Sequence, residues 1–181
     1  MRMTLSHAAA AVAAAGVVVA CGGSGSDSPG TETGTLRLSL TDAPTCGYET
    51  VFVTVAKVRV HQRSTAGESD AGWSEVVLDP PKRVDLLELT NGTLEPLGQT
   101  KLPAGTYTQM RLVLSGTTPP GWPAGTLANS IKPQGHAETE LTTPSGQQSG
   151  LKMNVNLEVP AEKLADVVIW SRDPFSVYAL A

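Results

Sequence analysis

The sequence predicts an all-β protein, an antiparallel β-sandwich preceded by a cleaved leader and a flexible tether. Three observations carry that prediction. Apolar residues recur with a period of two in several separate runs, and the cleanest is Leu151, Met153, Val155, Leu157 and Val159. That period puts every apolar side chain on one face of a strand. Between the runs lie Gly- and Pro-rich turns, the punctuation of strands that fold back on one another. Beyond residue 34 there is almost no helical period, which leaves two sheets sharing one core as the architecture, of the immunoglobulin- or prealbumin-like kind.

The elements follow in order. Leu36, Leu38 and Leu40 alternate with Arg37, Ser39 and Thr41 as a half-buried strand, closed by Asp42-Ala43-Pro44. In the next run Val51, Val53 and Val55 share one parity, whereas Val58 and Val60 share the other. A bulge near Ala56-Lys57 keeps both halves on the same face. Residues 64–72, STAGESDAG, make a polar hairpin loop. Trp73–Leu78 is a strand, stopped by Asp79-Pro80-Pro81. KRVDLLEL, residues 82–89, suits either a strand or one helical turn. Asn91-Gly92 is a turn, and residues 93–98 form a short loop or edge piece. After a turn at Pro103 and Gly105, Met110, Leu112 and Leu114 face one way and Tyr107, Gln109, Arg111 and Val113 the other. Tyr107 is placed as a tyrosine corner, its hydroxyl bonding nearby backbone. Residues 115–136 form a long connection with a short strand at Leu127–Ile131. Glu138–Thr142 is a strand and Pro144-Ser145-Gly146 a turn. The strand at residues 151–159 follows, and the apolar run Ala165–Trp170 closes the domain.

The amino terminus has a different character. Arg2 precedes an uncharged Ala/Val run, residues 8–20, which ends in Val18-Val19-Ala20-Cys21. A helix needs about 20 apolar residues to span a bilayer, so this run is too short. A positive start, an apolar stretch and small residues at a cut site make a secretory signal. Its end resembles the bacterial lipobox. The resemblance implies cleavage between Ala20 and Cys21 and acylation of Cys21 on its sulfur and its new amine. The thiolate is the nucleophilic form of cysteine, and two or more acyl chains give a stable anchor where one is marginal. Gly22 after the cysteine favours the outer membrane in a host with two membranes. Residues 22–34 hold no apolar side chain and form a flexible linker. The expected organisation is therefore a signal peptide at 1–20, a lipidated linker at 21–34 and a sandwich at 35–181.

Charge excludes one large class of partner. The chain carries a formal net charge of −4, with 13 Lys and Arg against 17 Asp and Glu. Its densest basic pair is Lys82-Arg83, which cannot track a phosphate backbone, so no nucleic-acid partner is expected. The three histidines, His7, His61 and His136, are scattered and unaccompanied by cysteine, so no metal site and no cofactor are expected. His61 reads as a solvent-facing strand end and His136 as a residue of a polar loop. GQQSG, residues 146–150, does not centre its serine as a nucleophile elbow does. Asp42, Asp70, Asp79 and Asp85 lack calcium-loop spacing. No catalytic residue is assigned. Trp73 reads as a core-edge residue. Trp122, held in the stiff PPGWP segment, is the candidate ligand contact. With Cys21 acylated, Cys46 is the candidate unpaired thiol.

The motifs LRLSLTDAP, VFVTVAKVRVH, GWSEVVLDPPKRVDLLELTNG, LPAGTYTQMRLVLS and TPSGQQSGLKMNVN together resemble the bacterial lipoprotein domain-of-unknown-function family 4382, over residues 34–168. The resemblance implies an exported, lipid-anchored all-β domain and no reaction. It also implies that a cysteine near the carboxy terminus pairs with the position of Cys46 in relatives. Here the chain reads IWSRDPFSVYALA instead. That ending reads as truncated or frame-shifted, with a divergent natural ending as the alternative, and either is expected to leave Cys46 without its partner and a sheet edge bare. The expected function is a non-catalytic binding or scaffolding domain held to the cell envelope through Cys21. A carbohydrate-binding module using Trp122 and its loop is the alternative, and the ligand is a glycan or an envelope protein.

Overall fold

The computed structural model describes residues 32–42, 47–170 and 176–180. Thr31–Ala181 forms one compact unit. Among the described residues ten strands build two packed sheets: β1 (Thr33–Thr41), β2 (Tyr48–His61), β3 (Ser74–Asp85), β4 (Glu95–Pro103), β5 (Gly105–Leu114), β6 (Ser130–Pro133), β7 (Thr139–Glu140), β8 (Leu151–Val159), β9 (Leu164–Trp170) and β10 (Ser176–Leu180). The smaller sheet runs β10-β9-β1-β4. The larger runs β7-β6-β2-β5-β8, with β3 on the free side of β2. This is the all-β sandwich that the alternation predicts. Leu36, Leu38 and Leu40 of β1, each fully buried, meet Val53, Val55, Val58 and Val60 of β2, Met110, Leu112 and Leu114 of β5, and Val167 and Ile169 of β9 in one core.

The parity shift in β2 is a bulge. The pairing of β2 with both β3 and β5 skips between Val55 and Lys57, so the extra residue, Ala56, keeps Val58 and Val60 on the core side. Tyr107 is a tyrosine corner: its hydroxyl donates to the Pro103 carbonyl at 2.8 Å and the residue is 1 % exposed. Its predicted facing is corrected, because a register shift between Tyr107 and Gln109 turns it into the core with Met110.

Several elements differ from expectation. Asp79-Pro80-Pro81 does not end β3. Pairing with β2 lapses after Val77 and resumes at Lys82, opposite the β2 bulge, and a proline without N–H fits an edge strand at that point. Residues 95–103 form a full edge strand, β4, paired with β1. The short strand of the long connection lies at Ser130–Pro133, between β2 and β7, and the strand expected at Glu138–Thr142 is reduced to Thr139–Glu140. Pro144–Gln148 is a short helix, α1, with proline in its first turn. Among the described residues one pair is parallel, β1 with β9: the chain leaves β8 in the larger sheet by a tight turn and runs as β9 beside the first strand. The bare edge predicted at the end of the chain is also corrected, since β10 pairs antiparallel with β9 from Ser176↔Trp170 to Leu180↔Asp166.

The sandwich has two distinct ends. Near the start of β1, Ala104 N–H donates to the Glu32 carbonyl at 2.7 Å and Glu162 N–H to the Thr33 carbonyl at 2.8 Å. Thr108 Oγ1 donates to the Gln62 carbonyl at 2.6 Å. The β4–β5 and β8–β9 turns and the β2–β3 loop therefore gather at that end. At the other end Asp42 N–H donates to Leu89 O at 3.1 Å, and the 3-10 turn Leu86–Leu89 and the Asn91-Gly92 turn close the core.

Candidate functional site

The outer face of the larger sheet is where the long connections fold back. Thr54 and Asn129, 0 % and 2 % exposed, staple the 115–129 connection to β2. Thr54 N–H donates to Asn129 Oδ1 at 2.8 Å, Thr54 Oγ1 to the Ala128 carbonyl at 2.6 Å, and Asn129 Nδ2 to the Ser115 carbonyl at 2.8 Å. Gly121 and Gly125 have φ of 93° and 85°, a left-handed backbone that glycine adopts without strain. They turn the loop tightly on both sides of Trp122.

Trp122 rests on Arg83 and Phe52. The Arg83 guanidinium carbon lies 3.5 Å from the Phe52 ring centroid and 4.6 Å from that of Trp122. The two rings meet edge to face at 6.2 Å and 69°. A cation held between aromatic faces is attracted by both ring quadrupoles. The rest of the fork is also held: Nε donates to the Leu127 carbonyl at 3.0 Å, and NH2 faces Ser130 Oγ at 3.3 Å and Glu138 Oε1 at 3.4 Å. Burial pulls the Arg83 guanidinium below its ordinary value, and Glu138 and Asp85 oppose that pull. An arginine remains charged regardless. Trp122 itself is 43 % exposed. One side of the indole is clamped by Arg83 and Phe52 and the rest is open. Elsewhere on the same sheet, between β2 and β6, Glu49 and Lys132 pair at 2.5 Å, and the Lys132 ammonium, with help from the Gly135 N–H, lowers the Glu49 carboxyl from its usual value.

The other sequence-singled residues are spent on structure. His61, 4 % exposed, accepts at Nδ1 from Arg63 N–H at 2.8 Å and meets the Ala71 carbonyl through Nε2 at 3.0 Å. Both ring nitrogens are therefore occupied by backbone, and the solvent-facing strand end expected for His61 is corrected: the β2–β3 loop covers it. Asp85 accepts Val51 N–H and Leu87 N–H on one oxygen. Trp73 packs at the sheet surface, its indole N–H donating to the Gly67 carbonyl at 3.0 Å. Among the described residues no group of three or more His, Cys, Asp or Glu could hold a metal, and no helix is long and apolar enough to cross a membrane. A cleft of about 390 Å³ beside Thr33, Gly34, Thr35, Lys101 and Glu162 has no aromatic wall. Ala20, Cys21 and Cys46 lie outside the described residues.

What sequence reasoning missed is the partner of Trp122. Arg83 and Phe52 lie on different strands, brought together when Phe52 pairs with Asp85 in the β2–β3 register. The available signal was a polar residue, Thr54, inside a valine run.

A family model described as a domain of unknown function, DUF4382, matches residues 33–169, from the first residue of β1 almost to the end of β9. The chain belongs to the DUF4382 family. The match covers the larger sheet of this DUF4382 domain, the smaller sheet apart from β10, and the Trp122 connection. No curated protein and no solved structure matches the chain.

Proposed function

We propose that this DUF4382 protein is held to the cell envelope by acyl chains on Cys21 and that its sandwich binds or scaffolds a partner without performing chemistry on it. The lipobox-like Val18-Val19-Ala20-Cys21 and the apolar-free linker support the anchor, which belongs to the outer membrane in a host that has one. The observation that carries the binding role is the preorganised Trp122: an indole fixed from below by Arg83 and Phe52 pays little ordering entropy when a ligand stacks on it. The occupied nitrogens of His61 and the capping role of Asp85 support the non-catalytic reading.

A carbohydrate-binding role is the second reading. An open tryptophan stacked on Arg83, which Glu138 also holds, offers a sugar both an apolar face and a charged hydrogen-bonding neighbour. Two experiments test these readings. Cys21→Ser moves the protein from the membrane fraction to the soluble fraction; retention in membranes sinks the anchor. On a glycan array, specific binding that disappears in Trp122→Ala establishes the carbohydrate role, and binding that ignores the substitution removes Trp122 from the site.

A further inference from the structure

The end of the sandwich where β1 begins carries a second array on the outer face of the larger sheet. Arg59 and Arg111 stand directly opposite one another in the β2–β5 register, and both lie over one indole. Arg59 Cζ is 4.6 Å and Arg111 Cζ 5.1 Å from the Trp73 ring. Like charges opposed across a ladder weaken a sheet, and Arg111 is only 7 % exposed, where an unanswered charge is costly. Glu75 answers Arg59 at 2.7 Å and Lys57 at 3.1 Å. Among the described residues no carboxylate pairs with Arg111. Its NH1 and NH2 donate to the Ser149 and Ala66 carbonyls at 3.0 and 3.1 Å, and its buried Nε has no partner. Sheet stability does not account for this arrangement.

The roof of the array is the chain itself. The β2–β3 loop turns its carbonyl oxygens inward onto the donors below. Ala66 O accepts from Arg111 and from Gln109 Nε2 at 3.2 Å, Glu68 O from Arg59 NH1 at 3.1 Å, and Gly67 O from Trp73. Ala66 is buried, but residues 62–65 and 67–72 are exposed, so lifting the loop uncovers little apolar surface and costs little. Neutral carbonyls are weak answers to a guanidinium. A charged oxyanion makes hydrogen bonds roughly twice as strong.

We propose that Arg59, Gln109 and Arg111 form a binding site for a phosphate group, closed by the chain's own loop, whose carbonyls stand where phosphate oxygens bind. Two guanidinium forks on neighbouring strands, both against one indole, match the several oxygens of a phosphate. The group belongs either to a soluble phosphate compound or to a lipid headgroup; the chemistry is the same. The site is separated along β2 from the Trp122 patch by roughly 20 Å, at about 3.3 Å per residue, and it depends neither on that patch nor on the Cys21 anchor.

The test uses the full chain carrying Cys21→Ser, so that no acyl chain contributes, with inorganic phosphate in one arm and phosphatidylglycerol vesicles in the other. Saturable binding is expected in at least one arm, with faster amide exchange at Gly67 and Asp70 as the loop lifts. It weakens at least tenfold in Arg111→Gln and is unchanged in Trp122→Ala. Should Arg111→Gln fail to fold, Arg111→Lys keeps the charge, removes the fork and weakens binding in the same direction. A chain whose residues 64–71 are replaced by Gly-Asn lacks the roof and binds more tightly. Binding to vesicles alone assigns the headgroup, and binding to phosphate assigns a soluble compound. Binding equal in the wild-type and Arg111 variants, or absent from both the wild-type and roofless chains, overturns the proposal.

Discussion

Two single atoms show how tightly residue identity is fixed. At Gly34, in β1, an added Cβ would overlap the Pro160 carbonyl oxygen and lie 2.7 Å from Val159 Cγ1. The obstacle is partly backbone at the β8–β9 turn, which cannot rotate away. Gly34→Ala is therefore expected to cost about 2 kcal/mol, in the range of overpacked cores, read as a lower urea midpoint with unchanged slope; an unchanged midpoint would mean that this turn yields freely. At Tyr107 the buried hydroxyl is the issue. Burial raises the phenol above its ordinary value, while hydrogen bonds with Ser74 and Gln62 act the other way. The folded state thus favours the neutral phenol. That preference is fully present below the unfolded value of about 10 and is lost as pH rises through the higher folded value. Tyr107→Phe is expected to cost about 1 kcal/mol at neutral pH, for the bond to Pro103, and to flatten the alkaline limb of the stability curve. Equal alkaline limbs in the two proteins would remove Tyr107 from that transition.

The strands and turns obey the same logic at the next level. Asp85 ends β3, and its Oδ1 accepts Leu87 N–H at 3.0 Å and Val51 N–H at 3.1 Å, so one carboxylate caps the 3-10 turn and ties it to β2. Asp85→Ala strands both donors and is expected to cost about 2 kcal/mol. Asp85→Asn keeps an acceptor oxygen and costs less. Urea midpoints for the two variants check that order, and equal losses would show that the cap contributes nothing specific. KRVDLLEL reads ambiguously because it contains both answers, strand as far as Asp85 and a turn of helix after it. The same distinction marks what was legible elsewhere. Alternation located β1, β2, β5 and β8, and a change of parity located the Ala56 bulge, because side-chain period is a local property. The passage of β3 through Pro80-Pro81 was not legible, since its tolerance depends on β3 being an edge strand. Nor was the Phe52–Arg83–Trp122 clamp, which exists only through register and a returning loop. Trp122 could be singled out from its stiff Pro/Gly setting, but the arginine beneath it could not.

For the whole molecule the decisive feature is how the smaller sheet closes. β1 lies between β4 and β9, so the first strand of the domain is held on one side by a strand from its far end. Beside the pairing, Arg37 and Asp166 form an ion pair across the β1–β9 ladder. The Arg37 hydrogen bond and charge hold the Asp166 carboxyl below its usual value, a small contribution because both side chains are partly in water. The larger contribution is burial: Val167 and Ile169 are fully buried against the leucines of β1. β10 adds no more than a border, but it covers the edge of β9, whose Val167-Val168-Ile169 is the type of flat apolar strand that recruits another copy. Removal of residues 171–181 is therefore expected to leave the sandwich folded, with unchanged far-ultraviolet β signal, and to raise the oligomeric order above that of the full chain by light scattering. Removal of everything after Val159 takes β9 as well, opens Leu36, Leu38 and Leu40 to water, and is expected to abolish cooperative unfolding. If the first truncation keeps the oligomeric order of the full chain at the same urea midpoint, β10 protects nothing; if the second still unfolds cooperatively, the parallel pair is not what closes the fold.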